Sequence, residues 1–113
     1  MNDFLDQLAS LEADRQQAHT TGLPALERLA AVARQDSGQA RIIGLFLLGL
    51  YNGSAYPFDL TQLRSLDAQL FRDCLAVLHL DYYPEQEIHQ YLRAGDALFA
   101  HLRNTLTDNG GAQ

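Results

Sequence analysis

The segment HLDYYPEQEIH, from His79 to His89, carries the densest set of side chains that could do chemistry in this sequence. It holds two imidazoles together with the carboxylates of an aspartate and two glutamates. Imidazole and carboxylate groups bind divalent transition metals, and residues four apart share one face of a helix. His79, Asp81, Glu85 and His89 are therefore a candidate metal site, and with it the chain would be a small metal-dependent enzyme.

The same segment is also a good helix start. Pro84 suits the first position of a helix, and glutamates are stabilised in the first turn by the helix dipole. No HExxH motif and no Cys/His pair at zinc spacing is present. We therefore favour a helix that begins near Pro84, and we predict neither a metal ligand nor a cofactor.

Nucleophilic catalysis has little support in the sequence. Cys74 occupies a position in an apolar helical stripe, which is typical of a small core residue rather than a reactive thiolate. No serine lies in a GxSxG motif. We predict no catalytic residue and a protein that is not an enzyme.

Charge and composition restrict the partners and the compartment. The formal net charge of −6 disfavours direct contact with nucleic acid, since Lys and Arg number 8 against 14 Asp and Glu. A DNA-binding regulator stays open as an alternative because residues 59–79 could form two helices. The acidic N-terminus is unlike a signal peptide, and the apolar run over 42–51 is too short to span a membrane. With a single cysteine, the chain is predicted to be cytoplasmic.

Apolar residues at helical spacing predict an all-α fold. We expect a compact bundle of five or six helices around a central apolar helix at about 38–51, in a single domain over 1–107 with a flexible tail over 108–113. Thr20-Thr21-Gly22 predicts a break between a helix over 3–18 and another beginning at Pro24. Residues 59–79 form one helix or two. The apolar stripe of the predicted helix over 3–18 includes Phe4, Leu5, Leu8 and Leu11. The stripe within residues 59–79 includes Phe71, Leu75 and Leu78.

Tyrosines at predicted helix ends indicate a surface for binding protein. Tyrosine can anchor an interface at low entropic cost, although such residues can equally cover the protein's own core. The candidates are Tyr51, Tyr56, Tyr82 and Tyr83. We predict a protein-interaction module whose partner is another protein, with a homodimer as one form of that interaction.

The sequence resembles an uncharacterised bacterial domain family found on integrative and conjugative elements and plasmids of proteobacteria. The resemblance covers residues 23–78 and rests on five short matches: Ala25–Leu29, Asp36–Arg41, Phe46–Leu48, Asn52 and Phe58–Asp67. It implies no activity and no site residue. It does imply a mobile-element setting, in which the protein would act as an inhibitor or accessory factor by binding another protein.

Overall fold

The computed structural model describes residues 3–107, which form four α-helices and two short 3₁₀-helices and contain no strand. The α-helices are α1 (Asp3–Ala33), α2 (Gly38–Tyr51), α3 (Ala68–Tyr82) and α4 (Gly95–Leu106), and the 3₁₀-helices are η1 (Leu60–Ser65) and η2 (Ile88–Tyr91). The expected all-α fold is confirmed. The predicted tail at 108–113 lies outside the described residues.

Helix α2 supplies the centre of the core, as its apolar sequence predicts. Ile43, Phe46 and Leu47 are buried, and the helix packs against both α1 and α4. Ser37 caps its start by accepting a hydrogen bond from the Ala40 amide at 3.0 Å. A Cβ atom at Gly44 would lie 2.6 Å from a methyl group of Leu106, so the glycine allows α4 to approach closely.

The predicted break between residues 18 and 24 is wrong, because α1 is one helix of 31 residues. A Cβ atom at Gly22 would lie 2.6 Å from Leu80 Cβ, so this glycine serves a close approach of α3 rather than a turn. Pro24 lies inside the helix, removes one backbone donor and costs about 3 kcal/mol or more. The fully buried Leu26 and Leu29 offset that cost, since each contributes roughly 1.5–3 kcal/mol.

Residues 59–82 contain two helices, each with its own aspartate cap. Asp59 accepts a hydrogen bond from the Thr61 amide at 2.9 Å and begins η1. Asp67 accepts one from the Leu70 amide at 2.9 Å and begins α3. The two caps leave Leu66 between the helices in an extended conformation.

Helix α3 packs antiparallel to α1. Asp73 is buried and accepts two hydrogen bonds from the Arg28 guanidinium, at 3.1 and 2.8 Å, and one from Gln69 at 2.9 Å. Further along, Gly22 meets Leu80. This buried carboxylate with three donors links the two helices strongly, because removing Arg28 would leave the charge of Asp73 buried without its ion-pair partner.

Helix α1 is about twice as long as its partner, so its first turns extend past the end of α3. Every residue from Asp3 to Asp14 is exposed, and the first buried position is Ala18. The molecule accordingly measures 62 Å along its longest axis and 26 and 24 Å along the others. Within the described range, none of the helices combines the length and apolar character needed to cross a membrane.

Candidate functional site

The segment from His79 to His89 is a helix end, a linker and a short helix. Helix α3 continues to Tyr82, and η2 begins at Ile88 with Glu87 at its N-cap, so the predicted start near Pro84 is wrong. The Glu85 amide donates to the Tyr91 hydroxyl at 3.1 Å and therefore lies outside any helical ladder. The Glu87 amide donates to the Gln90 side chain at 2.8 Å, which fixes the start of η2.

The four metal-site candidates do not come together in one cluster within residues 3–107. His79 Nε2 lies 3.0 Å from Asp14 Oδ2, and Glu85 accepts from Arg15 at 2.7 Å. No group of three or more His, Cys, Asp or Glu in residues 3–107 could hold a metal ion. The structure therefore does not assemble the candidate metal site.

The other two candidates, Asp81 and His89, lie in separate surroundings. Burial raises the pKa of the Asp81 carboxyl, and the charge of Glu87 adds to the effect. His89 packs edge-on to the Tyr51 ring, with ring centroids 5.2 Å apart, and its Nε2 is 3.4 Å from an oxygen of the exposed Asp96. His89 thus packs against residues around α4, whereas His79 contacts Asp14 of α1.

The end of α3 carries a polar cluster that spans to α1. Asp14 accepts hydrogen bonds from the Tyr83 hydroxyl and from His79, and these lower the pKa of its carboxyl, with His79 as the larger cause. The bond to Asp14 is the main reason that the pKa of Tyr83 rises to about 12. His19 lies 3.3 Å from the Tyr83 carbonyl oxygen and 3.5 Å from Glu85. The cluster joins α1 to the linker, and its polar groups are one another's hydrogen-bond or charge partners.

Cys74 is fully buried, as its place in the apolar stripe predicts. Burial, with a smaller contribution from the charge of the neighbouring Asp73, raises the pKa of its thiol to about 12. A thiolate nucleophile needs a lowered pKa and access to solvent, and Cys74 has neither. Its role is to pack the core.

The four tyrosines named as interface candidates differ in their surroundings. Tyr51 packs against Phe99 at a centroid distance of 5.2 Å, with the Arg103 guanidinium 5.4 Å above its ring. Tyr56 packs on the core, and Tyr83 donates to Asp14. Tyr82 is 74% exposed and is the member of the four that is most open to a partner.

Two exposed apolar stripes were not anticipated as surface features. Their residues repeat at the spacing of one helix face, a pattern that normally indicates burial. The stripe on α1 consists of Phe4, Leu5, Leu8 and Leu11, and the stripe on α3, which we call the outer face, consists of Phe71, Leu75, Leu78 and Tyr82. Helical periodicity shows that a face is apolar, but it does not show whether the fold covers that face.

Comparison with known proteins places most of the bundle in one family. No curated protein and no solved structure matches the chain. A family described as of unknown function, DUF7673, matches residues 23–106. This range exceeds the 23–78 over which the sequence resemblance was expected, and it begins after the first twenty-two residues of the chain. The chain belongs to the family of unknown function DUF7673.

Proposed function

We propose that this chain is a non-catalytic protein-interaction module that binds another protein through the outer face of α3. The observation that supports the proposal is the stripe of four large apolar side chains on that face, which are between 37% and 74% exposed. Contiguous apolar patches on a small soluble domain commonly mark sites of interaction.

The outer face is distinct from the face that α3 buries in the core. The core side of the helix is formed by Leu70, Cys74 and Val77. Each of the stripe residues Phe71, Leu75 and Leu78 directly follows one of these, which rotates it about 100° round the helix. The stripe is therefore a separate face that the bundle leaves open.

The spacing of the outer face suits a helical partner. Anchors at i, i+4, i+7 and i+11 are what an amphipathic helix of another protein meets when the two pack side by side. Tyr82 stands at the end of the stripe, where a rigid aromatic ring with a polar tip can anchor the complex. The net charge of −6 favours a partner with basic residues around its apolar face.

The setting that we propose is a bacterial mobile genetic element, where the module would act as an inhibitor or accessory factor of another protein. This part rests on the resemblance in the sequence and is an analogy at the level of the family. A metal-dependent enzyme and a DNA-binding regulator are less well supported. The metal candidates form no cluster within residues 3–107, and the charges of α3 include Asp73 and Asp81 as well as Arg72, so the helix has no basic face.

Affinity capture tests the proposal. The tagged chain is used as bait in lysate of the cells that encode it and is compared with Leu75→Glu/Leu78→Glu, which places two charges on the outer face. Leu60→Glu is the matched control, because Leu60 is 68% exposed on η1. We expect the double variant, but not the control, to lose a discrete protein. Capture of the same proteins by both variants, with unchanged melting temperatures, would reject the outer face as the binding surface.

A further inference from the structure

The first twelve described residues of α1 form an arm that the bundle does not cover. We define the α1 arm as Asp3–Asp14, in which every residue is exposed. Phe4 is 69% exposed and Leu11 is 54% exposed. A helix of this length is marginal in water without packing, so a covered apolar face would stabilise it.

The apolar face of the arm continues the face that α1 buries against α3. Phe4, Leu8 and Leu11 follow an alternating spacing of four and three residues. The same spacing runs on through Arg15, Ala18, Gly22 and Ala25, of which the last three are buried. This is the pattern of a seam between two helices. The arm therefore extends the α1–α3 interface past the point where α3 ends, and the place of the second helix is open there.

We propose that a second copy of this chain occupies that place and that the two α1 arms pair antiparallel in a symmetric dimer. An arm of 12 residues is about 18 Å long at 1.5 Å per residue. If Leu8 of each copy lies opposite Leu11 of the other, Phe4 falls opposite Arg15. The two arms then overlap fully, and each bundle begins where the arm of the other copy begins, so the bundles stay clear of each other.

A groove runs along most of this overlap. The groove lies between α1 and the linker after α3, has a volume of about 570 Å³, and is lined by Asp6, Gln7, Ser10, Leu11, Asp14 and Tyr83. In the proposed alignment the second arm runs beside this groove, and its first turn lies at the end that Asp14 and Tyr83 form. Its Phe4 ring would approach the guanidinium of Arg15, a contact that is favourable over an aromatic face.

Charge decides the direction of pairing. The arm is acidic, with carboxylates at Asp3, Asp6, Glu12 and Asp14. Antiparallel pairing sets Leu5 opposite Asp14 and Gln7 opposite Glu12, so these two carboxylates do not meet another acid. Parallel pairing would bring the same carboxylates of both arms to one level and would crowd the two bundles together at one end.

The area of the contact sets the strength that we expect. Four exposed apolar side chains on each copy bury less than the ~800 Å² per partner of a standard stable interface. The dimer should therefore form reversibly, over a micromolar range of concentration. This inference concerns a surface other than the outer face of α3, so it stands or falls independently of the proposed function.

Sedimentation equilibrium of the whole chain tests the assembly. The weight-average mass should rise from 12.6 kDa toward twice that value as the protein concentration increases over roughly 1–500 µM. Leu8→Glu/Leu11→Glu should remain at the monomer mass over that range, while the outer-face variant Leu75→Glu/Leu78→Glu should associate as the wild type does. A wild type that stays monomeric, or association that is lost only in the outer-face variant, would overturn the proposal.

Cysteine pairs test the direction. Leu8→Cys and Leu11→Cys are prepared separately, mixed and oxidised, and the buried Cys74 does not compete. Antiparallel arms should give mainly the mixed disulfide between position 8 of one copy and position 11 of the other. Preferential crosslinking of each variant with itself would show parallel arms and overturn the antiparallel assignment.

Discussion

Asp14 ties three parts of the molecule together through a single carboxylate. It joins α1 to the end of α3 through His79 and to the following linker through Tyr83. All three residues are at least partly exposed, and the effect is therefore one of local order rather than of large stability. The phenol of Tyr83 is the most direct reporter of this contact, because its pKa is raised to about 12.

Asp14→Asn should bring the pKa of Tyr83 back toward the ordinary value of a tyrosine. Ultraviolet titration should show one of the five tyrosines ionising at lower pH in the variant than in the wild type. Asp6→Asn, elsewhere on the α1 arm, is the control and should leave the titration unchanged. The sign for stability follows from the raised pKa: between about 10 and about 12 the unfolded chain loses this proton first, so folding weakens as pH rises. An unchanged titration in Asp14→Asn would show that the hydrogen bond does not form.

At the scale of elements, the interface between α1 and α3 depends on small residues. Ala18, Gly22 and Ala25 are buried on one face of α1, and the backbone of α3 passes close to Gly22. A Cβ atom at position 22 would also lie 3.0 Å from the carbonyl oxygen of Ala76, which cannot move without shifting α3. The pairing of these helices is thus set by side-chain volume as well as by the Arg28–Asp73 link.

Gly22→Ala should destabilise the fold by roughly 1–3 kcal/mol, even though alanine is the better helix former, because overpacking displaces α3. Gly38→Ala is the matched control: nothing lies within 4 Å of a Cβ atom there, at the start of α2. Urea unfolding of both variants measures the difference. A stabilising effect of Gly22→Ala would contradict the close approach of α1 and α3.

Local chemistry was readable from the sequence, and tertiary contacts were not. Ser37, Asp59 and Asp67 each cap the helix that follows, and such caps are local signals because a cap depends on neighbours within three residues. Gly22 was misread because a glycine at a helix crossing and a glycine at a turn look alike without knowledge of α3. The separation of the metal candidates could not be predicted for the same reason: Asp14 and Arg15, which bind His79 and Glu85, lie in a distant part of the sequence.

The whole molecule is an acidic helical bundle with a protruding arm, and its charge is the property that acts at longest range. Eight Lys and Arg against fourteen Asp and Glu leave a net charge of −6. Polyphosphate is repelled by such a surface, and the repulsion grows as salt is lowered. A partner that approaches either apolar stripe therefore experiences this field first.

The protein alone should not bind duplex DNA. Fluorescence anisotropy with a random duplex at about 50 mM salt gives electrostatic binding its best chance, because counterion release is largest at low salt. A basic DNA-binding domain serves as the positive control. Saturable micromolar binding that weakens as salt is added would refute this expectation and would support the regulator alternative.

The uneven packing along α1 divides this continuous helix into two regions on the timescale of amide hydrogen exchange. Amides in the first turns of the arm can open by local fraying, ahead of the contacts that Asp14 makes with α3 and the linker, whereas those near Leu26 and Leu29 exchange only when the bundle opens as a whole. Pro24 lies within the packed region, where its ring leaves the carbonyl of Thr20 without its helical donor. Deuterium would therefore enter the first turns within seconds and the last turns only slowly. If the protection of the arm amides from exchange increases with protein concentration, the apolar face of the arm is covered by a second copy of the chain.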